Sequence, residues 1–155
     1  MWICKMGIRK EQIVNRLREK LRNNIDEINQ NILLARESRD NNTKSTVGDK
    51  YETSREMMNL KIEKYNIQLA KALRLQKELD KINLQKKFEQ VEFGSLVFTR
   101  NNIYFISIGF GRIDIENESV YCVSLASPIG KTLNHKKTGD VVGFQGTEII
   151  INNIQ

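Results

Sequence analysis

Apolar residues in the first third of the chain fall at helical spacing. Val14, Leu17, Leu21, Ile25, Ile28, Ile32 and Ala35 recur every three or four positions, which makes one helical stripe close to an a/d seam. Gln12, Arg16, Arg18, Lys20, Arg22, Glu27 and Gln30 fall elsewhere. No Gly or Pro interrupts Arg9 to Arg39, so the pattern predicts a helix there, roughly 45 Å long. From Ser38 to Gly48 the chain is polar and rich in turn formers, which predicts an exposed, mobile loop. A second stripe follows, at Met58, Ile62, Tyr65, Leu69, Ala72, Gln76, Leu79 and Ile82. It predicts a helix over Lys50 to Lys86, roughly 50 Å long. Two stripes of matching length joined by a modest loop predict an antiparallel coiled-coil hairpin over residues 9–88, with its tip near 38–50. A coiled coil between chains is the alternative; the short linker favours local pairing, because closing it costs little entropy. The expected state is a monomer.

After Glu89 the period changes. Val91–Phe98, Ile103–Ile108, Val120–Ser124, Val141–Phe144 and Glu148–Ile154 read as strands, with turns at Asn101-Asn102 and Thr138-Gly139-Asp140. Gly109-Phe110-Gly111 reads as a strand break; no lysine-serine element follows to make it a phosphate loop. Ser127 to Leu133 reads as a short helical turn with Ser127 as N-cap and Pro128 at its first position. The expectation is an α+β chain whose residues 91–155 form a small, curved antiparallel β domain. A domain that small is marginal alone.

Composition sharpens the division. The chain has 155 residues, 39% hydrophobic and 28% charged, with net charge +6. Residues 91–155 hold five Lys/Arg against six Asp/Glu, hence −1; residues 1–90 hold twenty against thirteen, hence +7. No apolar run approaches the roughly 18 residues needed to span a bilayer. The start, Met1 to Gly7, is too short for a signal-peptide core. These features predict a cytoplasmic protein without membrane contact. Cys4 and Cys122 lack metal-ligand spacing and read as two reduced thiols. No cofactor is expected.

The candidate chemistry lies at the tip, in Gly48-Asp49-Lys50-Tyr51-Glu52. Asp49 and Glu52 are three residues apart at the start of a helix, so they share a face. Carboxylates so placed can supply oxygen ligands to a hard cation held elsewhere. They equally fit a capping box, with Asp49 as N-cap and Glu52 at N3, and Thr46 to Asp49 is a second possible box. Tyr51 reads as a tip contact or an ordinary exposed aromatic. His135 lies in a polar turn without a catalytic constellation. Met57-Met58 reads as seam packing.

Ser127-Pro128-Ile129-Gly130-Lys131-Thr132-Leu133, followed by Lys136-Lys137-Thr138-Gly139-Asp140-Val141-Val142, resembles the signature of the Gre transcript-cleavage factors. The resemblance extends to Ala35-Arg36-Glu37 and to Gly48-Asp49-Lys50-Tyr51-Glu52, and covers roughly Ile13 to Ile154. It implies a coiled-coil hairpin followed by a domain of FKBP-like topology. It implies bacterial RNA polymerase as partner, with RNA met only inside the polymerase. It implies that Asp49 and Glu52 act catalytically, by helping to hold magnesium in the polymerase active site during hydrolysis of backtracked RNA. The isolated protein would bind no metal stably and would not be an enzyme by itself. Tyr51, Ser127, Pro128, Ile129 and Gly130 would contact the partner. Ten residues, Ser38 to Val47, stand where the family has about one; Thr53 replaces the family's Asn, and Lys44 and Lys50 add positive charge. Two other functions stay open: a channel-binding inhibitor without cleavage activity, and a coiled-coil interaction module with a different partner.

Overall fold

The computed structural model describes residues 9–41 and 49–155. The chain forms two long helices, α1 (Lys10–Asn41) and α2 (Asp49–Asp80), and then β1 (Leu96–Thr99), β2 (Ile103–Ile106), β3 (Gly111–Ile115), β4 (Glu118–Val123), α3 (Pro128–Leu133), β5 (Val141–Phe144) and β6 (Thr147–Ile154). It is an α+β protein: an antiparallel helical hairpin followed by a small, mostly antiparallel sheet. Two compact units arise. One is Arg18–Gln76; the other joins Lys77–Gln155 to the chain up to Leu17.

In the hairpin unit, both predicted stripes face inward. Ile28, Ile32 and Ala72 form a buried cluster, with Ile25, Tyr65 and Leu69 packed against it. Each Ile so buried contributes roughly 1.5–3 kcal/mol. The small Ala72 opposite Ile28 and Ile32 lets the two backbones approach. Arg39 fastens the far end: its Nη1 donates to Asn59 Oδ1 across the pair at 3.1 Å, and its Nε to Asp40 at 3.1 Å. These contacts carry α1 through Asn41, beyond the end of its apolar stripe. The helix thus overruns its predicted end at Arg39 by two residues, Asp40 and Asn41, and takes in the first four residues of the polar segment that begins at Ser38. The rest of that predicted loop, 42–48, lies outside the described residues.

Helix α1 starts where Gln12 Oε1 accepts the Arg9 N–H at 3.0 Å. This is the return half of a capping box; Arg9 has no side-chain acceptor for the other half. Helix α2 ends at Asp80, not at Lys86. Lys81 and Ile82 donate to the carbonyls three residues back, and Asn83 Oδ1 takes the Gln85 N–H at 2.9 Å. An Asn side chain that bonds locally draws the backbone out of the helix. Beyond the helix, Lys86 and Gln90 donate to Glu92 at 3.0 Å each and hold its carboxyl below the usual range. Lys10 Nζ and Lys86 Nζ lie 4.5 and 4.9 Å from the Phe88 ring centroid.

The six strands are ordered β3-β4-β2-β1-β6-β5. β1 and β2 occupy the middle and are buried along their whole length. Four strand pairs are antiparallel, but β2 and β4 pair in parallel, Ile103 against Val120 through Ile106 against Val123, so the sheet is mixed. The reason is β3, which the sequence reading missed. It returns as a hairpin partner of β4 through Glu116-Asn117, with Glu116 at φ 55°, and β4 then inserts beside β2. One face carries a core of Val91, Val97, Tyr104, Ile106, Leu133, Val142, Ile151 and Ile154. Of the predicted strand Val91–Phe98, only the end is a strand. Gly94 has φ 92°, and Ser95 bonds back to the Glu92 carbonyl through both its N–H and its Oγ, which makes a turn. Cys122 is a buried free thiol, and burial pushes its pKa up to about 12; Cys4 lies outside the described residues. Among the described residues no helix is long and apolar enough to cross a membrane.

Candidate functional site

Helix α2 opens at Asp49, so the Asp49–Glu52 pair falls in its first turn. The side chain of Asp49 lies outside the described residues, as does Gly48. Glu52 is exposed, and so is its neighbour Lys50. An acidic residue in a first helical turn also meets the positive end of the helix dipole, worth about 0.3–1 kcal/mol. Tyr51 is half-buried, and its hydroxyl accepts from Arg55 Nη1 at 3.0 Å, one turn further on. The i, i+4 spacing of Tyr51 and Arg55 signalled that bond; reading Tyr51 alone missed it. In the first turns of α2, exposed Glu52 shares its side of the helix with Arg55 and Glu56, three and four residues on, while Lys50, two residues back, lies on the opposite side.

Of the neighbouring methionines, Met58 is half-buried in the seam, as expected. Met57 is not: it is 61% exposed. One residue is about 100° of helix, enough to turn it away from α1.

The second set of predicted residues lies at α3, and each has a local task. Ser127 is the N-cap: its Oγ accepts the Gly130 N–H at 3.1 Å and donates to the Ser124 carbonyl at 2.6 Å. Pro128 fills the first helical position, where a missing N–H costs nothing. Ile129 packs against the sheet core. Gly130 is buried against the Ser124 carbonyl, and a Cβ there would collide with it. His135 follows the helix at φ 62°, with Nδ1 3.3 Å from Gln90 Nε2.

The turn that follows is equally determined. Gly139 has φ 92°, a left-handed conformation suited to glycine. Asp140 Oδ2 accepts the Lys137 N–H at 2.8 Å, and Gly139 donates to the Ile151 carbonyl at 2.7 Å. The spacing from Ser127 to Asp140 is thus that of a capped turn of helix leading into a tethered turn. Pro128 is exposed, while Ser127 and Ile129 are half-buried.

Among the described residues no group of three or more His, Cys, Asp or Glu side chains is placed to hold a metal ion. No protein-family model matches the chain, and no curated protein matches its sequence.

Proposed function

We propose that this protein is a Gre-like transcription regulator that binds RNA polymerase through its secondary channel and assists hydrolysis of backtracked RNA there. The observation that carries this is the position of Glu52. It is exposed, three residues after Asp49, in the first turn of the second helix of an antiparallel hairpin. On this account the β domain has FKBP-like topology and docks at the channel rim through the region of Ser127, Pro128, Ile129 and Gly130. The hairpin enters the channel with Tyr51 near its wall. A magnesium ion bound by the polymerase would polarise the attacking water. The part played by this chain is to bring carboxylate oxygens to that place, since magnesium takes few carboxylates and keeps several waters. Catalysis stays with the polymerase.

One observation favours a second reading within the same site. Lys50, which follows Asp49 directly, is exposed, and Arg55 lies three residues beyond Glu52. Cations in the same turns of helix weaken the pull of the tip carboxylates on a metal ion. They suit a protein that occupies the channel and blocks it without cleavage.

The test is binding of the full chain to RNA polymerase, with an established Gre factor as competitor. Mutually exclusive binding is expected under either channel reading. Failure to bind polymerase at all would leave the hairpin as an interaction module for another partner.

A further inference from the structure

The two edges of the sheet are unlike. β3, at one end, carries Arg112 and Asp114, both exposed and ion-paired at 3.1 Å. Charge on an edge strand discourages pairing with another chain. β5, at the other end, reads Val141-Val142-Gly143-Phe144, with no charge and no proline. Val141 is 56% exposed, and Gly143, which has no side chain, exposes its backbone. A Cβ at Gly143 would meet nothing within 4 Å.

The register fixes which backbone groups that edge offers. The two-residue turn Gln145-Gly146, at φ 49° and 76°, joins β5 to β6, so Phe144 and Thr147 close the hairpin as a hydrogen-bonded pair. Bonded pairs alternate along the ladder. Val142 therefore bonds to Ile149, while the N–H and C=O of Val141 and Gly143 turn away from β6. The Ile151 N–H, which donates to the Asp140 carbonyl at 3.0 Å, keeps the same alternation. Among the described residues no strand lies beyond β5 to take the outward groups. Val142 belongs to the sheet core, so Val141 and Gly143 share the opposite face.

This edge is self-complementary. Set antiparallel to a second β5 about Val142, it brings Val141 of one copy opposite Gly143 of the other, and the reverse. Both residues of each such pair turn their N–H and C=O toward the other copy, so each pair exchanges two hydrogen bonds. Each Val141 side chain then falls on the open space at the other copy's Gly143. An interface in which one residue meets a second, and the second meets the first, is that of a closed two-fold dimer. Charge permits it: residues 91–155 hold five Lys/Arg against six Asp/Glu, so two β domains repel little. We infer that β5 is a homodimerisation edge, at which two copies join their sheets through Val141 and Gly143. Growth stops at two, because the edge left at each end is the charged β3. The dimer departs from the monomer expected from the sequence, and it requires no contact with polymerase. An edge of 4 residues buries less than the roughly 1,200 Å² of a standard interface, so the dimer forms at high protein concentration.

The test is sedimentation equilibrium of the full chain from about 10 μM to about 1 mM. A reversible monomer–dimer equilibrium is expected, with amide hydrogen exchange at Val141 and Gly143 slowing as the dimer fills. Gly143→Pro removes an edge N–H and no bond to β6, and Val141→Lys puts charge on the edge. Each should weaken dimerisation by about tenfold or more. Thermal melting at the low concentration should show both variants folded; should the proline disturb the strand, Val141→Lys decides alone. Dimers that persist at wild-type strength in the folded variants place the contact elsewhere and overturn the inference. So does a wild type still monomeric at about 1 mM, or a dimer that leaves exchange at Val141 and Gly143 unchanged.

Discussion

Gly130→Ala tests whether the turn at Ser127–Gly130 is held by close approach. A Cβ at Gly130 would fall on the Ser124 carbonyl group, backbone that cannot swing aside as a side chain can, and 2.9 Å from Ser127 Oγ. That carbonyl already accepts from Ser127 Oγ at 2.6 Å and from Ser127 N at 3.1 Å. Relief requires α3 to move away, which stretches the cap bond from Gly130 N to Ser127 Oγ. Overpacking of this kind costs about 1–3 kcal/mol, and two weakened hydrogen bonds add about 0.5–1.5 kcal/mol each. The better helix propensity of Ala returns about 1 kcal/mol. The net loss is about 2–4 kcal/mol, and at about 2–4 °C per kcal/mol for a chain of this size Tm should fall by roughly 5–15 °C. The assay is thermal melting followed by near-ultraviolet circular dichroism. It reports the Tyr104–Tyr121 pair, whose ring centroids are 5.9 Å apart in the same unit. Ser127→Ala alone should cost about 1 kcal/mol. The double variant should lose less than the sum, because both changes act on one turn. A Gly130→Ala protein that melts within about 1 °C of wild type would refute the close-approach account of this glycine.

Ile28→Ala leaves a cavity beside Ile32 and Ala72 and should cost the hairpin about 2–4 kcal/mol, read by far-ultraviolet melting. Lys10 is half-buried, and desolvation lowers its pKa to about 8. The folded state then binds this proton less tightly than the unfolded state, so the Lys10 contribution to stability should rise with pH between about 8 and 10.5, and Lys10→Met should lack that rise in urea melts. Cys122, with its pKa pushed up to about 12, acts in the opposite sense: the folded state holds the thiol proton, so its contribution falls as pH climbs above 9. Native protein at pH 8 should accordingly resist iodoacetamide at Cys122, followed by peptide mass, and react there once denatured.

The hairpin was legible because its signal is long. Every seam position named from the spacing, from Val14 to Ala35 and from Met58 to Ile82, is buried or half-buried in the structure. The ends were less legible, because side chains decide them: Arg39 reaches Asn59 and extends α1, while Asn83 bonds locally just beyond the end of α2. The sheet was harder. β3 has only Ile113 and Ile115 facing inward behind an exposed Gly111-Arg112, too short an alternation to separate from a break. Missing it hid the parallel β2–β4 pair. At α3, by contrast, Ser127 and Pro128 announce a cap and a first turn in their residue types alone.

The most direct measurement is stimulated cleavage of RNA in a backtracked polymerase complex, with wild type, Asp49→Asn and Glu52→Gln compared. The substitutions keep side-chain size and much of the capping capacity while removing an anionic metal ligand. Cleavage should be stimulated by the wild type and fall by well over about tenfold in each variant. Thermal stability should move by no more than about 1 kcal/mol, and polymerase binding should persist. A wild-type protein that binds polymerase and competes with a Gre factor, but never stimulates cleavage, would contradict the catalytic role of the tip and leave a channel-blocking inhibitor.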